Sequence, residues 1–195
     1  MKTAQTRWSA AARALHWIAA AWIFGQFAFG LWMVRGVGDA ARKFDLYQAH
    51  KTSGVLLALL MAARHVRRLA FGRPPPPSDA GPARRRAAAA MHGALYALAF
   101  ATMAAGYANV STSPIPLPAK LPGGFAVPNL LAPDYPASLR WAAIHFALAA
   151  ALVAMALAHA GAALWGHFAE GNDVLSRMLF TGRAAGARDE RARDR

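Results

Sequence analysis

Seven histidines are the residues of this chain best suited to chemistry, and two of them share one apolar stretch. His145 and His159 lie within the run from Trp141 to Phe168. They are 14 residues apart. At about 100° and 1.5 Å per residue, that spacing brings both to nearly the same side of a helix, roughly 21 Å apart along its axis. An ionisable side chain inside a membrane-length apolar run is a functional site by default. Neutral imidazole tolerates such surroundings and is a common metal ligand. The chain has no cysteine, which excludes thiolate metal sites, iron–sulfur ligation, disulfides and haem attached through thioethers. A metal centre here must draw on His, Met or oxygen.

The elements that position these histidines follow from composition. The 195 residues are 56% hydrophobic and 16% charged, a balance that points to a membrane protein. Four apolar runs predict four transmembrane helices, at about residues 14–35, 47–71, 88–110 and 141–168. The first is too long for a signal-peptide core and has no small-residue cleavage pattern before Arg35, so it reads as a retained span. Residues 40–47 read as a polar connection. Gly72 and the prolines Pro74–Pro77 break the chain, and Arg84–Arg86 close that loop. Residues 111–139 carry seven prolines and read as one long loop without regular structure. Residues 1–180 form one domain, followed by a charged, disordered tail at 181–195.

The net charge of +13 raises nucleic acid binding, but no basic stripe is interleaved with base-stacking aromatics, and that class is set aside. The charge is topogenic. With the N-terminus inside, 16 of the 22 Lys and Arg residues fall on the inner side, so both termini are expected in the cytoplasm. This topology gives every histidine a depth. His50 and His145 lie near the outer face and have no rival there. His16, His65, His92, His159 and His167 lie near the inner face, so an inner pair must be chosen among five. His159 is deepest and collinear with His145, and His16 enters the apolar body of the first span. His65 is flanked by Arg64, Arg67 and Arg68. His92 and His167 sit at span ends.

Two histidines facing each other across a helical bundle suit axial ligation of haem iron. Two such levels would form a route for electrons across the bilayer. Arg7, Arg13, Arg64 and Arg68 inside, and Lys51 and Arg140 outside, are candidate partners for haem propionates. A lone intramembrane histidine more often makes an interhelical hydrogen bond or lines a pore. A His-lined proton or metal transporter therefore stands as the alternative from another class.

Five motifs resemble the bacterial cytochrome b561 family. Arg7-Trp8-Ser9 and Arg13 to Trp17 open the first span, and His50 to Gly54 open the second, which ends in Arg64 and Arg68. His92 and Tyr96 lie in the third. His145 and His159 lie in the fourth, followed by Asn172 to Met178. The resemblance covers roughly residues 7–180. It implies an all-α four-helix membrane bundle in the bacterial inner membrane holding two b haems stacked across the bilayer. It also implies His16 and His159 as axial ligands of the inner haem, and His50 and His145 of the outer. Electron exchange with ubiquinone and the respiratory chain is implied too, with a periplasmic donor or, in one branch, superoxide. Lys51, Arg42, Lys43 and Arg140 would attract such an anion. A haem-b anchor subunit for a separate dehydrogenase or hydrogenase is the neighbouring reading. The chain departs from the family pattern at Gly166, where a histidine is usual and His167 lies alongside, at Asn172, where an aspartate is common, and in its long outer loop.

Overall fold

The computed structural model describes residues 8–71 and 81–180. Arg7, the proline run and the tail from residue 181 lie outside the described residues. The chain is four helices in order: α1 (Ala10–Arg35), α2 (Ala40–Phe71), α3 (Pro82–Thr112) and α4 (Tyr135–Phe168). α1, α3 and α4 are each long and apolar enough to cross a membrane. α2 does not reach that measure, because only 12 uncharged residues separate Lys51 from Arg64. Large apolar side chains such as Leu59, Leu69, Leu157 and Trp165 point outward from the bundle, as lipid-facing side chains do.

Every helix is longer than its apolar body. Ser9 caps α1, accepting a hydrogen bond from the Ala12 amide at 3.3 Å. α2 begins at Ala40, so the polar stretch expected to be a connection is its first two turns. Its local cap is Asp39, which accepts from the Arg42 amide at 2.7 Å. α3 begins at Pro82 and takes in Arg84–Arg86, which were expected to close a loop. α4 begins at Tyr135 with Pro136 in its first turn and Asp134 as the cap. Proline suits a first helical turn, where its missing N–H costs nothing.

The helices associate as two hairpins, α1 with α2 and α3 with α4, which touch each other more sparingly. α3 presents small buried residues to α4 (Ala99, Thr102, Ala105, Ala108, Ser111). Such a stripe lets membrane helices approach closely. The connection from α3 to α4 is more ordered than its prolines suggest. Lys120 and Ala126 form an antiparallel bridge around a turn whose Gly123 and Gly124 have φ of 87° and 83°. Asp134 N–H donates to the Thr112 carbonyl at 2.8 Å, tying the two helix ends together.

Candidate functional site

Among the described residues three ring contacts join two histidines, and two of them have matching geometry. His50 of α2 faces His145 of α4 with ring centroids 6.3 Å apart and planes at 89°. His16 of α1 faces His159 of α4 at 6.4 Å and 79°. Two imidazoles sharing one metal ion, at about 2.0 Å per metal–nitrogen bond and about 1.1 Å from nitrogen to ring centre, would have centroids about 6.2 Å apart. A direct in-line hydrogen bond of about 2.9 Å would bring them to about 5 Å. Both pairs thus have the separation of two ligands to a shared ion. Among the described residues, no three His, Asp or Glu converge as a metal-binding group. The donor sets are two-imidazole sets.

At the outer pair, the second nitrogen of His145 is accounted for. Its Nδ1 lies 2.8 Å from the Thr102 carbonyl oxygen. A carbonyl only accepts, so Nδ1 carries the proton and Nε2 keeps its lone pair. This is the tautomer a ligand through Nε2 needs, held by the kind of partner that orients metal-bound histidines. The ring reaches α3 because Gly106 leaves room. A Cβ there would stand 2.9 Å from both Cε1 and Nδ1 of His145. His50 lies against α1 with more slack, where a Cβ at Gly30 would stand 3.3 Å from its Cε1. The buried Nδ1 of His50 has no hydrogen-bond partner among the described residues. The outer pair fits a two-imidazole haem site in ring separation, and His145 fits it in tautomer as well.

The inner pair fits in distance but differs in tautomer. Arg64 Nη2 lies 2.8 Å from His16 Nδ1. Guanidinium only donates, so His16 Nδ1 accepts and the proton of the neutral ring sits on Nε2. Ligation through Nε2 requires this hydrogen bond to give way and the ring proton to move to Nδ1. His92 adds a third ring, 5.2 Å from that of His159. His65, flanked by arginines in sequence, packs against an aromatic ring of α3. It lies edge-on to Tyr96 at 4.9 Å, and its buried Nδ1 has no hydrogen-bond partner among the described residues. His167 Nδ1 lies 3.4 Å from the Asn172 carbonyl.

An apolar layer separates the two levels. Leu152 is seven residues from each histidine of α4, and Leu57 lies midway between His50 and Arg64 on α2. These two, with Ala19, Met61, Tyr96 and Ala99, form the buried core, against which Trp22 and Ile23 pack. The buried core therefore reaches from the inner histidine level into the space between the two levels.

The expected propionate partners are spread among other contacts. Arg13 donates to the Leu179 carbonyl at 2.6 Å, and Arg68 stacks over Tyr96. Lys51 donates to the Leu117 carbonyl at 2.8 Å, beside Thr52, whose hydroxyl donates to Lys120 O at 2.7 Å. The outer loop is thereby pinned beside His50. Residues 172–180 fold back across the inner ends of α1 and α4, with Trp17 Nε1 donating to Met178 O at 2.9 Å. Two departures from the family pattern prove to be one feature. The Asn172 side chain rests against Gly166, where any Cβ would collide with it, and the Asn172 amide donates to the Gly166 carbonyl at 2.9 Å. Sequence reasoning missed Thr102, Gly106, Gly30 and this strap. The only signal for the glycines was their interruption of alanine-rich helices.

Comparison with known proteins agrees with this architecture. A family model described as prokaryotic cytochrome b561 matches residues 7–181. The chain is 37% identical over 174 residues to "Cytochrome b561 homolog 2" of Escherichia coli strain K12, covering 89% of this chain and 91% of that protein. A family match across nearly the whole chain, with a relative of this identity, leaves one conclusion: the chain belongs to the prokaryotic cytochrome b561 family of haem-binding electron-transfer proteins of the bacterial membrane.

Proposed function

We propose that the protein holds two b haems, one between His50 and His145 at the outer face and one between His16 and His159 at the inner face. In this reading it exchanges electrons between the outer side and the quinone pool. The observation that carries it is the equal ring separation of the two pairs, 6.3 and 6.4 Å, on opposite sides of one apolar layer. When bound, haem b supplies an iron that takes up and releases one electron. The residues do the rest. Thr102 fixes the His145 tautomer, and Gly30 and Gly106 seat the outer rings. The apolar layer excludes water between the levels, and the loop pinned by Lys51 and Thr52 covers the outer ring pair.

Four crossings with both termini in the cytoplasm complete the proposal. α2 crosses with Lys51 and Arg68 extended toward the two interfaces. The 17 steps between them rise about 26 Å, close to the hydrocarbon thickness once long side chains snorkel. The outer cations Lys51 and Arg140 favour an anionic donor, and superoxide with ubiquinone as acceptor is the pairing we put forward. A second reading, an anchor subunit for a separate dehydrogenase, is favoured by the pinned outer loop, which holds Ile115, Phe125 and Leu130 outward.

Haem quantitation and reduced-minus-oxidised spectra of the four single His→Ala variants test the ligand assignment. His145→Ala and His50→Ala should each lose one haem, and His16→Ala and His159→Ala the other. Loss of both haems or of neither from His145→Ala would refute the two-level assignment. Mixing the purified protein with superoxide and a soluble ubiquinone separates the two functional readings. Superoxide-dependent quinone reduction supports the first, and its absence supports the anchor.

A further inference from the structure

A polar chain runs between α1 and α2, within the apolar body of α1. Trp22 Nε1 donates to Ser53 Oγ at 2.8 Å, Ser53 Oγ donates to Gln26 Oε1 at 3.0 Å, and Gln26 Nε2 donates to the His50 carbonyl at 2.7 Å. All three bonds point the same way, from the apolar layer toward the outer pair. Polar groups at this depth are costly and seldom retained without purpose. Both ends of the Gln26 amide are satisfied, so the side chain has a single well-fixed orientation. Gly54 lies alongside this bond, where a Cβ would stand 3.4 Å from the Gln26 amide nitrogen, at ordinary contact distance.

Gln26 does not act on His50 alone. Gln26, Phe29 and Gly30 stand at i, i+3 and i+4, so they share one face of α1. All three meet His50: Gln26 at the carbonyl, Phe29 ring to ring at 5.8 Å, and Gly30 beneath Cε1. α3 treats His145 alike, with the Thr102 carbonyl and Gly106 four residues apart. Each outer histidine is gripped by its hairpin partner through one polar contact and one glycine seat a single turn further on.

We infer that Gln26 is a positioning residue for the outer centre: with Ser53 and Trp22 behind it, it sets the register and ring orientation of His50. This inference rests on the reading of His50 as an axial ligand. It predicts that breaking the chain changes the outer centre.

The test uses full-length protein in detergent, with the outer centre isolated spectrally on a His16→Ala background. Gln26→Leu and Ser53→Ala should shift its midpoint potential and its low-spin ferric EPR signal. They should also lower its apparent haem affinity about fivefold to tenfold, the loss expected for one buried hydrogen bond. Ser53→Thr, which keeps the hydroxyl, should restore the original values. Trp22→Phe, at the far end, should have the smallest effect. The milder Ser53 and Trp22 variants carry the test if Gln26→Leu fails to accumulate. An unchanged potential and signal in Gln26→Leu and Ser53→Ala, with only thermal stability reduced, would show that the chain merely joins two helices. Retention of the outer haem by His50→Ala would instead overturn the parent assignment.

Discussion

Gly106→Ala is the sharpest perturbation the structure offers. The new methyl group would stand 2.9 Å from both Cε1 and Nδ1 of His145. Ordinary carbon contacts begin near 3.5 Å, so the ring must retreat by about 0.6 Å. The Nδ1–H bond to Thr102, now 2.8 Å, points to the same side and would stretch toward the limit of a useful hydrogen bond. Overpacking costs about 1–3 kcal/mol, and weakening the hydrogen bond about 1 kcal/mol more. Alanine in place of helical glycine returns about 1 kcal/mol. The balance is about 1–3 kcal/mol against His145 in its seat, or roughly a fivefold to 150-fold loss of haem affinity at the outer centre. The assay is haem per chain by pyridine haemochrome, with the outer centre read from the difference spectrum. Gly30→Ala, at 3.3 Å from His50, should be close to neutral. Gly93→Ala meets nothing within 4 Å and serves as the control. Full outer haem content in Gly106→Ala would refute the claim that His145 is held against α3.

Three further outcomes are expected. Arg64→Leu should keep the inner haem, because Arg64 occupies His16 Nδ1 rather than building the site. It should also lower the inner midpoint potential, since a cation beside the ring favours the reduced iron, by an amount on the order of tens of millivolts. Loss of that haem in a redox titration of the variant would show that Arg64 is required for ligation. Gly166→Val should displace Asn172 and release the 172–180 strap, seen as faster amide exchange at Met178 and Leu179 with the outer centre undisturbed. Combined Lys51→Ala and Thr52→Ala removes two bonds that pin the outer loop. It should raise protease cleavage between residues 114 and 131 several-fold, and an unchanged cleavage rate would mean that the remaining contacts hold the loop.

The histidine levels were legible in the sequence because two strong signals coincide there, apolar runs of membrane length and an uneven distribution of arginine. Helix starts were misjudged for a physical reason. Residues 40–47 and 82–86 are helical beyond the apolar body, where hydrophobicity no longer marks the helix. Asp39, Pro82, Asp134 and Pro136 did carry the signal, as caps and first-turn prolines. The seats beneath the rings were invisible, since in alanine-rich helices Gly30 and Gly106 look no different from Gly25 or Gly93. The strap was hidden because Val174 to Phe180 is too short to show a period, and its bonds run to residues more than 160 positions away.

The placement of both fourth-helix histidines bears on how such a protein is made. α4 supplies one member of each pair, His145 and His159, while the other members come from α2 and α1. A nascent chain that has delivered three helices to the membrane therefore has half of each pair and neither pair complete. With the proposed ligands, cofactor capture waits until translation has passed residue 159. It is then a late event that joins the early hairpin to the last one, so a ribosome-bound intermediate ending before α4 should remain colourless even in a haem-replete cell.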